Sequence, residues 1–415
     1  MEYHSAFGDL FTFDFLIFTF LIFLKKMLRK FIKYFLVLLA LALIAFFIFA
    51  PGIVDKQQNK ITLDVHKNPP AKVSWYDSIP FIADLHCDAL LWDRNNLKEH
   101  EHGHVDIPRM QKANMAFQVF TIVSKTPKKM NIEHNDDKTD NIALLSFAQL
   151  RNPKDWFSVK SRALHQCAEL FNTAKKSDGL FRVILNQKDL VSFIEDRKKN
   201  PKLTAGMLGI EGAHCLNDDL SNLDEFYKAG VRYIGLTHFF DNAWGGSAHG
   251  MKKDGLTAKG KQLVSRMDSL HVLIDLAHAS PKTIDDIFAS TQGPVLISHT
   301  GVKGVCDNTR NLSDAHLLEI GRRNGLVGIG LWETAVCGTD AASTAKSIRY
   351  VADKIGVDKV ALGSDFDGAI TAHFDVTGLP LIVNALLKEG FSQEDIYKIM
   401  GGNVRDFFLR NLPVK

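Results

Sequence analysis

The stretch 81–88 reads F-I-A-D-L-H-C-D: it begins apolar and ends in an imidazole and a carboxylate. In a strand, alternate side chains share a face. His86 and Asp88 would therefore leave its tip together, able to grip one ion. Taken alone this could be an ordinary core strand with a polar end. The pattern recurs, however. The apolar runs 205–211, 232–238, 272–278 and 295–299 stop on Glu211, His238, His278 and His299, and 359–365 stops on Asp365. Four histidines and three carboxylates exceed what one tetrahedral zinc requires. Two ions about 3.5–4 Å apart, sharing a carboxylate and a bridging hydroxide, fit better. The charge of two divalent cations is matched by Asp88, Glu211, ionised Asp365 and that hydroxide, so assembling the site need not bury a large net charge. Nitrogen and oxygen donors without thiolate favour zinc, with manganese, cobalt or iron as substitutes. Such a site acidifies bound water to near neutral pH and aims it at a carbonyl or phosphoryl group. A lone histidine at a strand end is more often a polar cap, and a lone aspartate often caps the next helix. Six coincident strand ends are hard to explain that way.

These side chains need a scaffold that brings strand ends together. Strands are expected at Phe81–His86, Met115–Val123, Thr204–Gly212, Arg232–His238, Val272–His278, Pro294–His299, Gly325–Leu331 and Lys359–Asp365, with a short accessory strand at Arg182–Leu185. Helical spacing predicts helices over Asn141–Leu170, Gln187–Lys199, Asn222–Ala229, Thr257–Leu270, Pro281–Ser290, Ala315–Asn324 (capped by Ser313), Ala345–Ile355, Leu379–Glu389 and Ser392–Leu409. Eight strands rich in Val, Ile and Leu, alternating with helices, argue for a parallel sheet closed into a (β/α)8 TIM-like barrel. An open doubly wound sheet is the runner-up, but it would scatter the candidate ligands that a barrel gathers at one mouth. His100, His102 and His104 also suggest metal. No apolar strand frames them, so a solvated loop is expected.

The chain has 415 residues, is 46% hydrophobic and 23% charged, and carries a formal charge of +3. Much of the excess lies in Lys25, Lys26, Arg29, Lys30 and Lys33, so nothing points to nucleic acid. Cys87, Cys167, Cys215, Cys306 and Cys337 contain no C-x-x-C pair, which excludes a disulfide scaffold and a thiolate zinc site and leaves room for one bridge in an exported domain. The organisation read is a membrane anchor region at 1–50, a tether at 51–75 and a catalytic domain at 76–415. Tyr34–Ala50 is almost wholly apolar and, with its flanks, reaches the roughly 20 residues a spanning helix needs. An uncleaved anchor is favoured over a cleaved signal, because Ile48-Phe49-Ala50 before Pro51 fits a cleavage site poorly. The basic run should stay cytoplasmic, which sends the domain outside, periplasmic or extracellular. Leu10–Leu24, interrupted by Asp14, is either a first span in a hairpin or precedes a translation start at Met27.

With these residues in hand the chain resembles the membrane dipeptidase (renal dipeptidase) family of the amidohydrolase superfamily. The matching stretches are D-L-H-C-D at 84–88, G-I-E-G-A-H at 209–214 and L-T-H at 236–238, followed by I-D-L-A-H-A-S at 274–280, S-H-T at 298–300, R-N at 310–311 and G-S-D-F-D-G at 363–368. The resemblance covers roughly residue 82 to the carboxyl terminus. It implies two zinc ions, His86 and Asp88 on the first, His278 and His299 on the second, and Glu211 bridging them. It further implies His238 at the substrate carbonyl and developing oxyanion. Arg310 would hold the substrate carboxylate. Asp365 would sit by the bridging water and substrate amine, passing a proton to the leaving nitrogen. The implied substrates are dipeptides, D-residues at the carboxyl-terminal position included, and some relatives open β-lactams.

Two departures qualify the resemblance. The loop F-F-D-N-A-W-G-G-S-A-H-G after His238 looks more like bacterial relatives than animal enzymes, which leaves side-chain preference open. The amino terminus differs from animal enzymes, which carry a cleaved signal and a lipid anchor. A deacylase or lactonase on the same dimetal site is the alternative activity, and a non-catalytic surface module would require damaged ligands. A homodimer is compatible with this reading, but nothing in the sequence demands one.

Overall fold

A computed structural model describes residues 6–415. The first five residues of the expected anchor lie outside the described residues. The chain divides at Gly52/Ile53 into two compact units.

In the first unit the chain is helical from Ala6, in a helix with bounds Ala6–Gln58. The helix is continuous through the basic cluster, so of the two options for Leu10–Leu24 the hairpin is not formed. From Phe15 onward this helix is long and apolar enough to cross a membrane, and its Phe, Leu and Ile side chains are exposed. At 1.5 Å per residue it exceeds the roughly 30 Å hydrocarbon core.

The second unit is a closed barrel. Its strands are β1 (Ile82–Cys87), β2 (Met115–Val123), β3 (Thr204–Glu211), β4 (Val231–Gly235), β5 (Leu273–Asp275), β6 (Val295–Thr300), β7 (Leu326–Ile329) and β8 (Val360–Leu362). Each pairs in parallel with the next, β8 pairs with β1 through Leu362 and Asp84, and the ring is complete. The accessory strand Phe181–Val183 pairs with the first half of β3. Ala205, Met207, Gly209 and Glu211 share one face of β3 by alternation. Ala205 and Met207 lie in an apolar cluster with Tyr233, Leu273, Leu296, Leu326 and Ala361, so this face is the barrel interior and Glu211 is its last residue toward the mouth. The opposite end is covered by the carboxyl-terminal helix, whose Phe408 ring lies 5.7 Å from that of Phe117.

Three expectations are corrected. Asn141–Leu170 is not one helix but Asn141–Ala148, Pro153–Phe157 and Val159–Lys176, because Asn152 caps a new start at Pro153. Ser392–Leu409 is likewise broken: Gln393–Tyr397 passes through a π-helical turn, kinked at Gly401, into Asn403–Asn411. A Cβ at Gly401 would lie 2.3 Å from the Phe81 carbonyl oxygen, so the kink seats the helix directly on β1. The segment expected as a tether is packed rather than free. Lys60–Ile61 pairs in parallel with Thr371–Ala372, and Asp55, Asn59 and Val65 are buried.

The His100–His104 loop is a loop, but it is not solvated at His104. That ring is fully buried, accepts at Nδ1 from the Asp367 amide (2.7 Å) and donates from Nε2 to the Lys60 carbonyl (2.8 Å). Asp55 and Asp367 flank Arg94 at 3.1 and 2.8 Å, and His102 also reaches Asp55 at 3.2 Å. These histidines hold the segment after the first unit against the loop that follows β8.

Candidate active site

Every candidate ligand lies at or just beyond a carboxyl end of a barrel strand. His86 is within β1 and Asp88 just past it. Glu211 ends β3, His238 and His278 follow β4 and β5, His299 is within β6, and Asp365 follows β8. His278 and Asp365 sit at φ 61° and 60°, the left-handed region that costs a non-glycine residue about 1–3 kcal/mol.

The side chains converge on Glu211. Its Oε1 is 2.9 Å from His278 Nε2, 3.3 Å from His299 Nε2 and 3.5 Å from His86 Nε2. Its Oε2 is 3.3 Å from His238 Nε2. His86 Nε2 also lies 3.5 Å from Asp88 and 3.8 Å from Asp365. Three groups have ligand atoms close enough to hold an ion: His86, Glu211 and His299; Glu211, His238 and His278; His86, Asp88 and Asp365. His238 thus stands among the potential ligands as well as beside them.

The outer nitrogens fix the tautomers. His249 Nδ1 meets the Ile132 carbonyl at 2.8 Å and must donate to it. Burial first, and Arg310 second, pull the His249 pKa down to about 4, so its Nε2 is an acceptor. His278 Nδ1, 3.0 Å away, therefore donates, which leaves His278 Nε2 a lone pair. His86 and His299 offer their Nδ1 to the Ser298 hydroxyl at 3.1 and 2.9 Å, while that hydroxyl donates to Asp275 at 2.6 Å. For His299, which burial keeps neutral, that leaves Nε2 a lone pair. His278 Nε2 and His299 Nε2 then face each other at 2.9 Å, and both face a carboxylate oxygen. Lone pair against lone pair is repulsive without a cation between them. Among the described residues, His86 Nε2, Glu211 Oε2 and His238 Nδ1 are buried polar atoms with no hydrogen-bond partner, and metal ligands are the usual exception of that kind. The donor set fits divalent metal.

The protonation energetics agree. Burial, then the neighbouring carboxylates of Asp88 and Asp365, raises the Glu211 pKa well above the usual carboxylate range. Burial and Asp88 push Asp365 up to about 8 despite His86 and Arg310. Burial depresses His238, His278 and His299, with Arg310 and other imidazoles adding to it. At His86 burial acts downward, but Glu211, Asp88 and Asp365 outweigh it and raise the group to about 10.

Arg310 is buried at the rim. Its Nη2 donates to the His299 carbonyl at 2.7 Å and its Nη1 to Thr300 Oγ1 at 3.4 Å. Asn311 donates to the Cys306 and Ala335 carbonyls at 2.7 and 2.9 Å, and a Cys306–Cys337 disulfide pins the same loop. That is the single bridge the cysteine pattern allowed.

Sequence reasoning missed the residues that orient the ligands: Ser298 with Asp275, His249, and Ser364, whose hydroxyl donates to Asp84 at 2.7 Å. A signal was present. Asp84 and Asp275 are carboxylates inside apolar strands, two and three residues before His86 and His278.

The family model described as membrane dipeptidase (peptidase family M19) matches residues 58–408. The dipeptidase aclJ of Aspergillus oryzae is 28% identical over 368 residues, 82% of this chain and 79% of its own length. Human dipeptidase 3 is 30% identical over 237 residues, covering 54% of this chain and 48% of its own. The crystal structure of the dipeptidase AC superposes with TM-score 0.68 at 24% identity, over 81% of this chain and 99% of that one. A metallopeptidase from Rhodobacter sphaeroides, liganded with a phosphinate mimic of the dipeptide L-Ala-D-Ala, gives TM-score 0.65 at 24% identity, over 80% and 99%.

Proposed function

This chain belongs to the membrane dipeptidase family, peptidase family M19, and is a metallo-dipeptidase; from that premise we propose that its barrel mouth hydrolyses dipeptides with two divalent cations, zinc first among them. His86 and Asp88 would hold one cation, His278 and His299 the other, and Glu211 both. Bound there, the cations acidify a shared water and polarise the scissile carbonyl. The observation that carries this reading is the convergence of three imidazole Nε2 atoms on one carboxylate oxygen, with the His278 and His299 nitrogens 2.9 Å apart.

The remaining groups divide the work. His238, kept neutral by burial, is a hydrogen-bond donor for the oxygen that gains charge at the carbonyl. Arg310 binds the substrate carboxylate. A guanidinium has five N–H donors, more than its bonds to His299 and Thr300 use, so a planar anion can be met by the fork. Asp365, whose burial favours its protonated form, hands a proton to the leaving amine. A clamp at one end and an amine contact at the other limit the substrate to a dipeptide. The ligand of the Rhodobacter neighbour supports acceptance of a D-residue at the carboxyl-terminal position.

The apolar amino-terminal helix suggests membrane anchoring. The domain is proposed to lie outside the cytoplasm: the basic run favours that orientation, and the disulfide favours an oxidising compartment. The deciding assay is turnover of matched L,L and L,D dipeptides, with chelation and zinc add-back. Cleavage of both, abolished by chelator and restored by zinc, is expected. Turnover that survives complete metal removal, or that persists on substrates lacking the terminal carboxylate, overturns the reading.

A further inference from the structure

Asp275 and Ser298 are buried beside the candidate ligands, with the Ser298 hydroxyl against His86, His299 and Asp275. We infer that Ser298 is a positioning residue shared by the two metal subsites, so that one hydroxyl couples the loading of both cations. The inference rests on the dimetal reading above.

A serine hydroxyl has one hydrogen and two lone pairs. All three are committed here. The hydrogen goes to Asp275 Oδ2 at 2.6 Å. That carboxylate is itself held by backbone: its Oδ1 accepts from the Ser298 amide at 2.8 Å and the Ala277 amide at 3.0 Å. The two lone pairs take Nδ1–H of His86 at 3.1 Å and of His299 at 2.9 Å. His86 shares one possible ligand group with Asp88 and Asp365 and a second with Glu211 and His299, while His299 Nε2 also faces His278 Nε2 at 2.9 Å; on the assignment proposed above, His86 serves one cation and His299 the other. One oxygen thus sets the ring angle and the tautomer of one ligand in each subsite. Ser298 is fully buried and Asp275 nearly so, so bulk water has no access to replace either.

The backbone around Ser298 is as fixed as its side chain. A Cβ at Gly363 would meet the Ser298 carbonyl oxygen at 2.1 Å and His299 Cα at 2.9 Å. Only glycine lets the residue after β8 come that close to the Ser298 backbone.

The contrast within the site is His249. It braces His278 alone, through the bond to Nδ1 at 3.0 Å. Loss of a group that orients a metal ligand typically costs 10–100-fold in metal affinity. Ser298→Ala should therefore weaken both cations together, while His249→Ala should weaken one.

The test uses the full chain in detergent, stripped with a chelator and titrated with zinc against a chromophoric competitor. Bound zinc is counted independently and the melting of the stripped protein is recorded. Wild type should bind two zinc ions. S298A should bind both about 10–100-fold more weakly, S298T should recover most of that loss, and the metal-free melting point should change far less than the zinc affinity. In D275N the amide would donate to the hydroxyl and occupy one of its lone pairs, so one imidazole loses its acceptor and one zinc should weaken. If S298A does not melt cooperatively, S298C, whose thiol is a weak acceptor, decides in its place, both ions again being expected to weaken. Unchanged zinc affinities in the serine variant, or loss of one ion only, overturns the inference. So does equal weakening of both ions by H249A, since coupling would then run through Glu211 and not through Ser298. A wild-type protein binding fewer than two zinc ions sinks the dimetal reading instead, a separate result.

Discussion

Two of the buried polar clusters in the catalytic unit are built on opposite principles. Around Arg94 every charge faces an opposite charge: Asp55 at 3.1 Å, Asp367 at 2.8 Å, with the His104 amide closing on Asp367 at 2.7 Å. There the shifts favour the charged forms. Burial opposes it, but Arg94 holds Asp367 below the usual carboxylate range, and the two aspartates raise Arg94. Around Glu211 the shifts favour the neutral forms of the carboxylates and of His238, His278 and His299. A cluster that closes its own charge is scaffolding. A cluster of metal-type ligands that meets at one carboxylate, with too little positive charge to keep its carboxylates ionised, is the one expected to take up cations.

The largest effect that would test this contrast is Glu211→Gln. Losing the shared carboxylate removes several kcal/mol of charge stabilisation, each 1.4 kcal/mol being about tenfold in rate. Dipeptide kcat/KM should fall by at least about 10³-fold and bound metal should drop. The stripped variant should nonetheless melt no lower than stripped wild type, because a carboxylate strained by burial has become neutral. A large loss of metal-free stability would show that Glu211 is structural after all.

Arg94→Met should do the reverse. It leaves Asp55 and Asp367 buried without their cation, and breaking a buried ion pair costs about 3–5 kcal/mol. Denaturant midpoints should fall accordingly while zinc stoichiometry stays at the wild-type value. If R94M instead loses metal at unchanged stability, the two clusters are one.

How much of this was legible follows from the same contrast. The ligands stood out because each ends an apolar run, and parallel strands deliver their carboxyl ends to one mouth. His86, Asp88, Glu211, His238, His278, His299 and Asp365 were all readable in that way, and the barrel with them. The structure brings all seven together. The His100–His104 loop misled because local sequence cannot say what will cover it. Its partners, Asp55 and Lys60 on one side and Asp367 on the other, are separated from it by tens to hundreds of residues. Ser298 and His249 were invisible for another reason: nothing about a serine before a histidine, or a histidine in a loop, states which ring it will orient. The broken helices reflect Pro153 and Gly401, punctuation that the apolar spacing overrode in the reading.

The smallest effect is a slope with pH, and its sign separates the clusters. Asp365 titrates near 8 in the folded protein against an ordinary 3.8, and His86 near 10 against 6.5. Between pH 6.5 and 8 the folded, metal-free protein therefore holds protons that the unfolded chain has released. Stability falls with rising pH wherever the native state binds more protons. The depressed histidines, His238, His278 and His299, act only below their ordinary 6.5, where the unfolded chain takes up protons that the fold refuses. Asp367, which is lowered, loses its contribution only as pH falls below the ordinary carboxylate value of 3.8. The ionic network is therefore silent from pH 6.5 to 8, and the melting point of stripped protein should decline across that interval because of the Glu211 cluster alone. With zinc present the slope should reverse, since cations displace those protons and bind more tightly as pH rises. Glu211→Gln should make both slopes shallower by removing the carboxylate that raises His86, while Asp365 still titrates. Parallel slopes with and without zinc would mean that the titrating groups are not the ones the cations use.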